Sequence, residues 1–491
     1  MAQVEVGGEA ERAPRDAGRA LGAAAALPES LRSAVAGREL WIALEVLAIV
    51  SWVVVRTAFG ERGEAYVAWS ILAAVLAVVS PVSGLVVLAA TAPFFEPATV
   101  TRVIGWRTLI VVALALGVGV RVLAGGWRTY PRAPVAFAAV AVGVVTLAGV
   151  VLSLRRFDEE FATNAAGNWL VSIGGAMLVL LAALWVFREG DRRPLYVAVG
   201  ASVVAAIVCL VEYFAPGSIA GSPIEWVGFW KDFGNRIAGV IASPNGVATL
   251  FVMPAAILVA AVLLASDTRL RLWAAVGAAP LILALVLTLS RAALIAFLIF
   301  GVVFAWRIRR ELGMGLLVVG LVAGIVLLPS YLQARSQLAP VDGAVTPGSV
   351  LVASDQTRFR AWAAAAAMFR DDPLKGQGFL SYRRIAPEFG DRILNSPHNE
   401  WLRLFAEEGI AGGLAGIALV GAALVVLRRA PGWLGAGIFA GFLSYVVMAS
   451  FNNPFLFIQI SIVVFTAVAH GVATVTRPRD GPQVAPSATT A

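Results

Sequence analysis

Charged side chains are scarce in this sequence. Asp, Glu, Lys and Arg make up 14% of the 491 residues, whereas soluble globular chains carry about 25%. Segments of about 10 residues with alternating polarity, which a membrane β-barrel needs, are also lacking. Instead, hydrophobic residues make up 59%, the mean hydropathy is +0.84, and apolar runs of about 20 residues recur along nearly the whole chain. This pattern predicts an α-helical protein that crosses a membrane many times.

Lysine, cysteine and histidine are rare as well. Lys231 and Lys375 are the only lysines, so arginine supplies nearly all the positive charge behind the net charge of +8. We attribute this charge to short cytoplasmic loops, as the positive-inside rule expects, and not to nucleic-acid binding. The single cysteine, Cys209, lies in an apolar run, which excludes an intrachain disulfide and a cysteine-based metal site. The two histidines are His398 and His470.

Fourteen membrane spans are predicted from the apolar runs, with an error of a few residues at each boundary. The spans are 40–58, 65–79, 82–94, 104–124, 134–153, 168–187, 195–214, 245–265, 271–289, 292–306, 313–329, 409–427, 433–450 and 456–473. The stretch 65–92 is either one long helix, which gives thirteen spans, or a hairpin that turns at Ser80-Pro81. The hairpin is favoured because it gives the even number that two cytoplasmic termini require. The predicted fold class is an all-α polytopic membrane protein with about 12–14 transmembrane helices and one large periplasmic or extracellular loop containing short helices.

Five segments are expected along the chain. They are a disordered cytoplasmic tail (1–38), an N-terminal transmembrane bundle (39–329), a large outer-face loop with the catalytic elements (330–408), the C-terminal transmembrane helices (409–473) and a second disordered cytoplasmic tail (474–491). The sides follow from the arginine-rich loops, which are expected in the cytoplasm. These loops are 187–193, 266–272, 307–311 and 427–432.

The outer-face loop is expected to contain two short helices. Residues 355–371 are rich in alanine, with Asp355 as the expected N-cap, and Arg358 and Trp362 share one face of this helix. The second helix is expected to begin at Ser396 and to lie in the membrane interface. Its polar stripe would be formed by Glu400, Arg403 and Glu407.

The stretch "NSPHNEWLRL" places a histidine at the start of this second helix. Ser396 is a favourable N-cap and Pro397 a favourable first residue, which puts His398 and Asn399 in the first turn. The partial positive charge of a helix N-terminus disfavours imidazolium, and its free N–H groups favour a phosphate. A neutral histidine beside an anion suits a general base. On this residue alone, a capping-region histidine without a function is the alternative.

Three arginines are expected on the outer side, where the positive-inside rule does not explain them. They are Arg236, Arg291 and Arg358. Arginine holds phosphate through two parallel, charge-assisted hydrogen bonds, so three converging arginines would form a pyrophosphate clamp. Taken singly, each arginine is better explained by snorkelling or by pairing with a nearby acid than by a function. Together with His398, the set favours a functional site.

Other polar features have simpler interpretations. "GQG" at 376–378 lacks the strand and helix of a nucleotide-binding loop, and His470, late in the last helix, is interpreted as structural. The acidic run 158–160 is interpreted as a solvated loop. A metal-dependent transferase that uses Asp158 and Glu159 is the alternative.

Four sequence elements resemble the O-antigen ligase and O-antigen polymerase superfamily of bacterial membrane glycosyltransferases. They are "RIAGVIASPNGVAT" (236–249), similar to the Arg-x-x-Gly…Pro-Asn element; "LSRAAL" (289–294), similar to Ser-Arg-Gly/Ala; "RFRAWAAAAAMFRDDPLKGQGFLSY" (358–382), similar to Arg-x-x-x-Trp…Pro-x-x-Gly-x-Gly; and "PHNEWLRLFAEEGIAGG" (397–413), similar to His-Asn…Glu-x-Gly-x-x-Gly. The large outer loop before the last few helices also fits. The resemblance covers roughly residues 65–473.

The resemblance implies a reaction at the periplasmic or outer face of the bacterial cytoplasmic (inner) membrane. A glycan on undecaprenyl pyrophosphate is transferred to a hydroxyl of a glycan, lipid or protein acceptor, without a metal or another cofactor. The catalytic residues implied are His398, as the base or the residue that orients the acceptor, with Arg291 and Arg358. The residues implied in binding the pyrophosphate or the glycan are Arg236, Asn245, Ser290, Asn399 and Glu407.

Two alternatives to a ligase remain open at this point. A polymerase of the same superfamily would differ only in its acceptor. A transporter or flippase for lipid-linked sugars belongs to another class, and it would favour charged residues near the bilayer midplane and internal repeats. The polar residues of this sequence gather at one face instead, which favours an enzyme.

Overall fold

A computed structural model of the protein describes most of the chain. The residues described are 37–59, 64–94, 105–125, 130–131, 133–215, 237, 243–308, 310–311, 314, 318, 347–392 and 394–477. Arg236, the predicted span 313–329 apart from residues 314 and 318, nearly all of the predicted tail 1–38 and residues 478–491 of the second predicted tail therefore lie outside the described residues.

The described residues are mainly helical. The helices are α1 (Arg38–Phe59), α2 (Glu64–Val79), α3 (Pro81–Thr91), α4 (Trp106–Gly125), α5 (Pro134–Arg156), α6 (Glu159–Val171), α7 (Ile173–Arg188), α8 (Arg193–Phe214), α9 (Pro244–Leu264), α10 (Thr268–Leu287), α11 (Arg291–Ile308), α12 (Pro347–Asp371), α13 (Tyr382–Ile385), α14 (Glu400–Leu427), α15 (Gly432–Ala449) and α16 (Ile458–Thr476). Two 3-10 turns are also described, Ala386–Phe389 and Pro454–Leu456.

The predicted all-α membrane fold is confirmed. Within the described part of the chain, nine helical segments have at least 18 residues and enough apolar character to cross a membrane, with α6 and α7 counted as one segment. Lipid offers no hydrogen-bond partners, so a helix that satisfies its own backbone is the natural form of these runs. Each predicted span that falls within the described residues coincides with a helix.

The turn expected at Ser80-Pro81 is confirmed. Ser80 has an extended backbone, with φ −137° and ψ 92°, and its side chain accepts a hydrogen bond from the Ser83 N–H. A Cβ atom built on Gly84 would lie 2.5 Å from the Cβ atom of Ala77. Seven residues of one continuous helix would separate these positions by about 10 Å. The chain therefore turns sharply here, and α2 packs against α3.

The two outer-face helices begin elsewhere than expected. Helix α12 starts at Pro347, upstream of the proposed cap Asp355. Helix α14 starts at Glu400 and not at Ser396, because the Asn399 side chain is the N-cap and accepts hydrogen bonds from the N–H groups of Trp401 and Leu402. Helix α14 then continues to Leu427 across a kink, so the expected interface helix and the expected span 409–427 are one element.

The expected polar stripe on this helix does not face the membrane interface. Glu400, Arg403 and Glu407 are 0%, 1% and 2% exposed. Helical spacing places them on one face, as predicted, but that face is turned into the protein. Helix α14 packs on both α5 and α12. The buried side chains are stable there because they pair with one another.

Candidate functional site

A cleft of about 250 Å³ joins the start of α11 to the middle of α12. Its lining contains two of the arginines singled out in the sequence. The lining residues are Arg291, Ala292, Ile295, Arg358, Phe359, Trp362 and Phe451. Arginines separated by a long stretch of sequence thus meet at one concavity, and an anion in this cleft would meet two guanidinium groups.

The turn between α10 and α11 places Arg291 in the cleft. Leu289 has φ 48°, which reverses the chain, and Ser290 precedes the first residue of α11. The Ser290 hydroxyl donates a 2.7 Å hydrogen bond to the Asn245 side-chain oxygen at the start of α9. Ser290 is 1% exposed. The structure therefore places Ser290 and Asn245, both expected to bind substrate, in a buried contact that fixes the start of α11.

One backbone contact ties the neighbouring sequence element to this turn. The Ile237 N–H donates a 3.2 Å hydrogen bond to the Leu287 carbonyl at the end of α10. Ile237 directly follows Arg236, the third predicted arginine, which lies outside the described residues. The contact places Ile237 beside the end of α10, two residues before the "LSRAAL" element begins.

His398 lies immediately before the N-cap of α14. Its φ is 48°, a left-handed conformation at the point where the chain enters the helix. Burial lowers the pKa of His398 below its ordinary value of 6.5, the positive charge of Arg358 lowers it further, and Asp391 acts in the opposite direction. The neutral imidazole expected from the sequence is thus favoured, but by burial and Arg358 and not by a place in the first helical turn.

The pH dependence of the reaction follows from this pKa. A general base works in its neutral form, so kcat/KM is expected to rise with pH, and the midpoint of this rise is expected below pH 6.5. Replacing Arg358 with glutamine removes a positive charge near the imidazole, which raises the pKa of His398. The midpoint of the rise in residual kcat/KM is therefore expected to move to higher pH. Arg360→Gln, at an exposed position of the same helix, is the control and should leave the midpoint of the pH profile unchanged. A midpoint above pH 6.5 in the wild type would contradict the assignment of His398 as the general base.

Asp391 is a neighbour of His398 that the sequence reasoning missed. It is 2% exposed. Its carboxylate accepts a 2.7 Å hydrogen bond from the Tyr382 hydroxyl and a 3.2 Å hydrogen bond from the Leu394 N–H. These contacts hold the segment that leads to His398. No periodic pattern connects Asp391 to the histidine in the sequence, so only the folded loop reveals the pairing.

Arg403 is the centre of a buried ion-pair network. Its guanidinium group donates to Glu400 Oε1 at 2.9 Å and to Glu407 Oε2 at 2.8 Å. The remaining oxygens accept backbone hydrogen bonds of 3.1 Å, Glu400 from Phe455 and Glu407 from Tyr382. The structure therefore places Glu407, expected to bind substrate, inside a network that joins α14 to α13 and to the α15–α16 connection.

The kink in α14 is bridged by the loop that contains "GQG". Gly409 has φ 65° and ψ −163°. The N–H groups of Gln377 and Gly378 donate to the carbonyls of Ala406 and Glu407, at 3.0 and 2.8 Å. A Cβ atom on Gly376 would lie 2.4 Å from the Glu407 carbonyl oxygen. These glycines thus allow two backbone segments to pack closely, a role unrelated to nucleotides.

Substituting Gly409 with alanine is expected to destabilise the protein by at least about 1–3 kcal/mol, because its backbone conformation is essentially restricted to glycine. A Cβ atom there would also lie 2.6 Å from the Leu374 carbonyl oxygen. Gly421→Ala is the matched control in the same helix, since nothing lies within 4 Å of a Cβ atom at Gly421. The control should be neutral or stabilising by up to about 1 kcal/mol. Unfolding midpoints in detergent measure both, and equal midpoints would refute the role of the kink.

Asp158, one of the two acids considered as metal ligands, has local partners. Asp158 is the N-cap of α6 and accepts a 2.9 Å hydrogen bond from the Phe161 N–H. It also pairs with Arg384 at 2.5 Å. The Phe161 N–H and Arg384 together lower the pKa of Asp158. These contacts account for Asp158 as a helix cap.

A comparison with known families matches the part of the chain that contains most of the candidate site residues. Residues 276–417 match the family model described as O-antigen ligase. The match includes Ser290, Arg291, Arg358, His398 and Glu407, and it confirms the resemblance drawn from the sequence elements. Arg236 and Asn245 precede the matched segment. No curated protein matches the chain.

Proposed function

We propose that the chain, whose residues 276–417 match the O-antigen ligase family model, transfers a glycan from undecaprenyl pyrophosphate to an acceptor hydroxyl. The reaction takes place at the outer face of the bacterial cytoplasmic membrane, in the segment 330–408 and the adjoining helix ends. The finished glycan moves in one step onto a lipid, a protein or another glycan, as a ligase would do.

One observation carries this proposal: Arg291 and Arg358 line a single cleft, and His398 interacts electrostatically with Arg358. A sugar pyrophosphate is already activated, so its transfer needs an anion site, a base and space for a lipid tail. The cleft supplies the anion site. The half-buried, neutral histidine supplies the base. The apolar surfaces of the bundle supply the space for the lipid.

The chemistry assigns a distinct role to each group. His398 accepts the proton of the acceptor hydroxyl through an imidazole nitrogen as the hydroxyl oxygen attacks the anomeric carbon. The bond between that carbon and the phosphate oxygen breaks, and polyprenyl pyrophosphate leaves as an anion. Arg291 and Arg358 stabilise the negative charge that grows on the leaving oxygen. Hydrogen bonds that strengthen in the transition state accelerate the reaction more than those that bind the ground state equally well.

The direct test uses purified protein, a polyprenyl-pyrophosphate-linked oligosaccharide and candidate acceptors. Release of polyprenyl pyrophosphate together with a glycosylated acceptor is expected, and His398→Gln should lower turnover by about 100- to 10,000-fold. Arg360→Ala, at an exposed site, is the folded control. Normal turnover in His398→Gln would remove the base from the mechanism.

The same assay separates the alternative functions. A single product supports a ligase, whereas a ladder of products supports a polymerase. Protein reconstituted in liposomes tests the transporter alternative. Movement of the intact lipid-linked glycan between leaflets, without cleavage, would overturn the proposed function.

A further inference from the structure

The cleft contains an aromatic strip beside its two arginines. Trp362 contacts Phe359 edge to face, with ring centroids 5.6 Å apart and an interplanar angle of 88°. It also contacts Phe451, with centroids 6.4 Å apart. All three rings line the cleft. Phe359 is 60% exposed, so part of the strip is open to a ligand.

Trp362 carries a buried donor without an acceptor. Its Nε1 atom is buried, and no acceptor lies within hydrogen-bonding distance in the part of the chain that the structure describes. The indole N–H of a buried tryptophan usually finds a partner. The indole of Trp401, nearby on α14, follows this rule and donates to the Ser450 hydroxyl at 3.1 Å. The Trp362 N–H is therefore an unsatisfied donor on a residue that lines the cleft.

The strip lies next to the predicted phosphate site on the same helix. Arg358 and Trp362 are separated by one turn of α12, which rises about 5.4 Å. One sugar ring has similar dimensions. A sugar attached to a pyrophosphate held by Arg358 would thus lie over the indole ring.

We propose that Trp362, with Phe359 and Phe451, forms the subsite for the pyranose ring directly attached to the pyrophosphate. The inference rests on the proposed function. The C–H-rich face of a pyranose carries partial positive charge and packs on the negative face of an aromatic ring. A ring hydroxyl accepts the hydrogen bond from Trp362 Nε1. A polyprenyl tail would also pack on these rings, but a hydrocarbon would leave the indole N–H unsatisfied.

Two ligands test this assignment because they differ only in the sugar. The affinities of the protein for a glycan-bearing polyprenyl pyrophosphate and for bare polyprenyl pyrophosphate are measured in detergent. Trp362→Phe retains a ring but loses the N–H. It is expected to lower the affinity for the glycan-bearing lipid about five- to tenfold. Phe359→Ala removes the exposed ring with little risk to folding, and it is expected to lower the affinity for the same ligand. Neither variant should change the affinity for the bare lipid by more than about twofold.

The outcomes separate the subsite from the proposed function. If the Trp362 and Phe359 variants lose affinity equally for both ligands, the strip binds the lipid tail. If they lose affinity for neither ligand, the strip binds neither the sugar nor the tail. Both results overturn the subsite. Arg291→Ala should lower the affinity for both ligands alike, since both contain pyrophosphate. If Arg291→Ala weakens neither ligand, the proposed function is contradicted, and the Trp362 and Phe359 variants still decide whether a sugar lies on the strip.

Discussion

Replacement of Arg291 with alanine is expected to lower the turnover of glycan transfer by about 100- to 1,000-fold. Arg291 is the first residue of α11, lines the cleft and is held in place by the buried contact between Ser290 and Asn245. This contact positions the backbone at Arg291 before the substrate arrives, so little reorganisation of the chain is needed for the guanidinium group to stabilise the leaving pyrophosphate. Loss of such a preorganised donor affects the transition state more than the bound substrate. Turnover should therefore fall more than the apparent affinity.

Two matched variants make this expectation specific. Arg291→Lys keeps the charge but loses the two parallel hydrogen bonds, so it should recover only part of the rate. Arg360→Ala removes an exposed arginine from the helix that carries Arg358. Turnover of this variant should stay within about twofold of the wild type, because an exposed charge outside the cleft is screened by solvent. Folded Arg291→Ala with near-normal turnover would contradict the role of Arg291.

Replacement of Arg403 with methionine is expected to destabilise the protein by about 3–5 kcal/mol. Arg403 is 1% exposed and binds two carboxylates that are 0% and 2% exposed. Without the guanidinium group, Glu400 and Glu407 would be left as buried acids without a counter-charge. Buried ion pairs contribute little compared with a well-packed apolar core, but removal of one partner is costly. The unfolding midpoint in detergent, measured at several pH values, gives the effect.

A compensated variant provides the control for Arg403. The triple change Glu400→Gln, Arg403→Met and Glu407→Gln removes all three charges and should recover much of the stability lost in Arg403→Met. The amide side chains can still accept the Phe455 and Tyr382 N–H groups that the carboxylates bind. If the single variant is as stable as the wild type, the network does not hold α14 in place.

The membrane bundle could be predicted from the sequence because one physical rule dominates it. Apolar runs in lipid must satisfy their own backbone, so each long run becomes a helix. The turn at Ser80-Pro81 was also predictable, since Ser followed by Pro is a strong signal for a helix start. The same signal was misleading at Ser396-Pro397, where Asn399 caps the helix instead. Both residues are good caps, and local propensity alone does not choose between them.

Long-range contacts decide the parts that the sequence did not predict. The spacing of Glu400, Arg403 and Glu407 shows that they share a face, but it does not show whether that face meets solvent or protein. The bond from Glu400 to the Phe455 N–H turns it inward, across 55 residues of sequence. The kink at Gly409 likewise depends on the loop with Gly376, which packs against it.

The candidate site was predictable in its residue types and less so in its supports. Arginines on the outer side are costly and unexplained by topology, and this pointed to Arg291 and Arg358. The structure brings these two to one cleft and places His398 within electrostatic reach of Arg358. Asp391 and the aromatic strip were missed, because a buried acid and clustered rings look like ordinary core residues until the loop is folded.

The central claim is that Arg291 and His398 act on the same substrate at one site. A double-mutant cycle tests it most directly, with turnover measured for the wild type, Arg291→Ala, His398→Gln and the double variant in the presence of lipid-linked donor and acceptor. Groups that act together in one transition state show penalties that are far from additive. The account predicts a double variant only slightly slower than the slower single variant. Penalties that multiply in full would show that the two residues act independently, which would contradict a shared site.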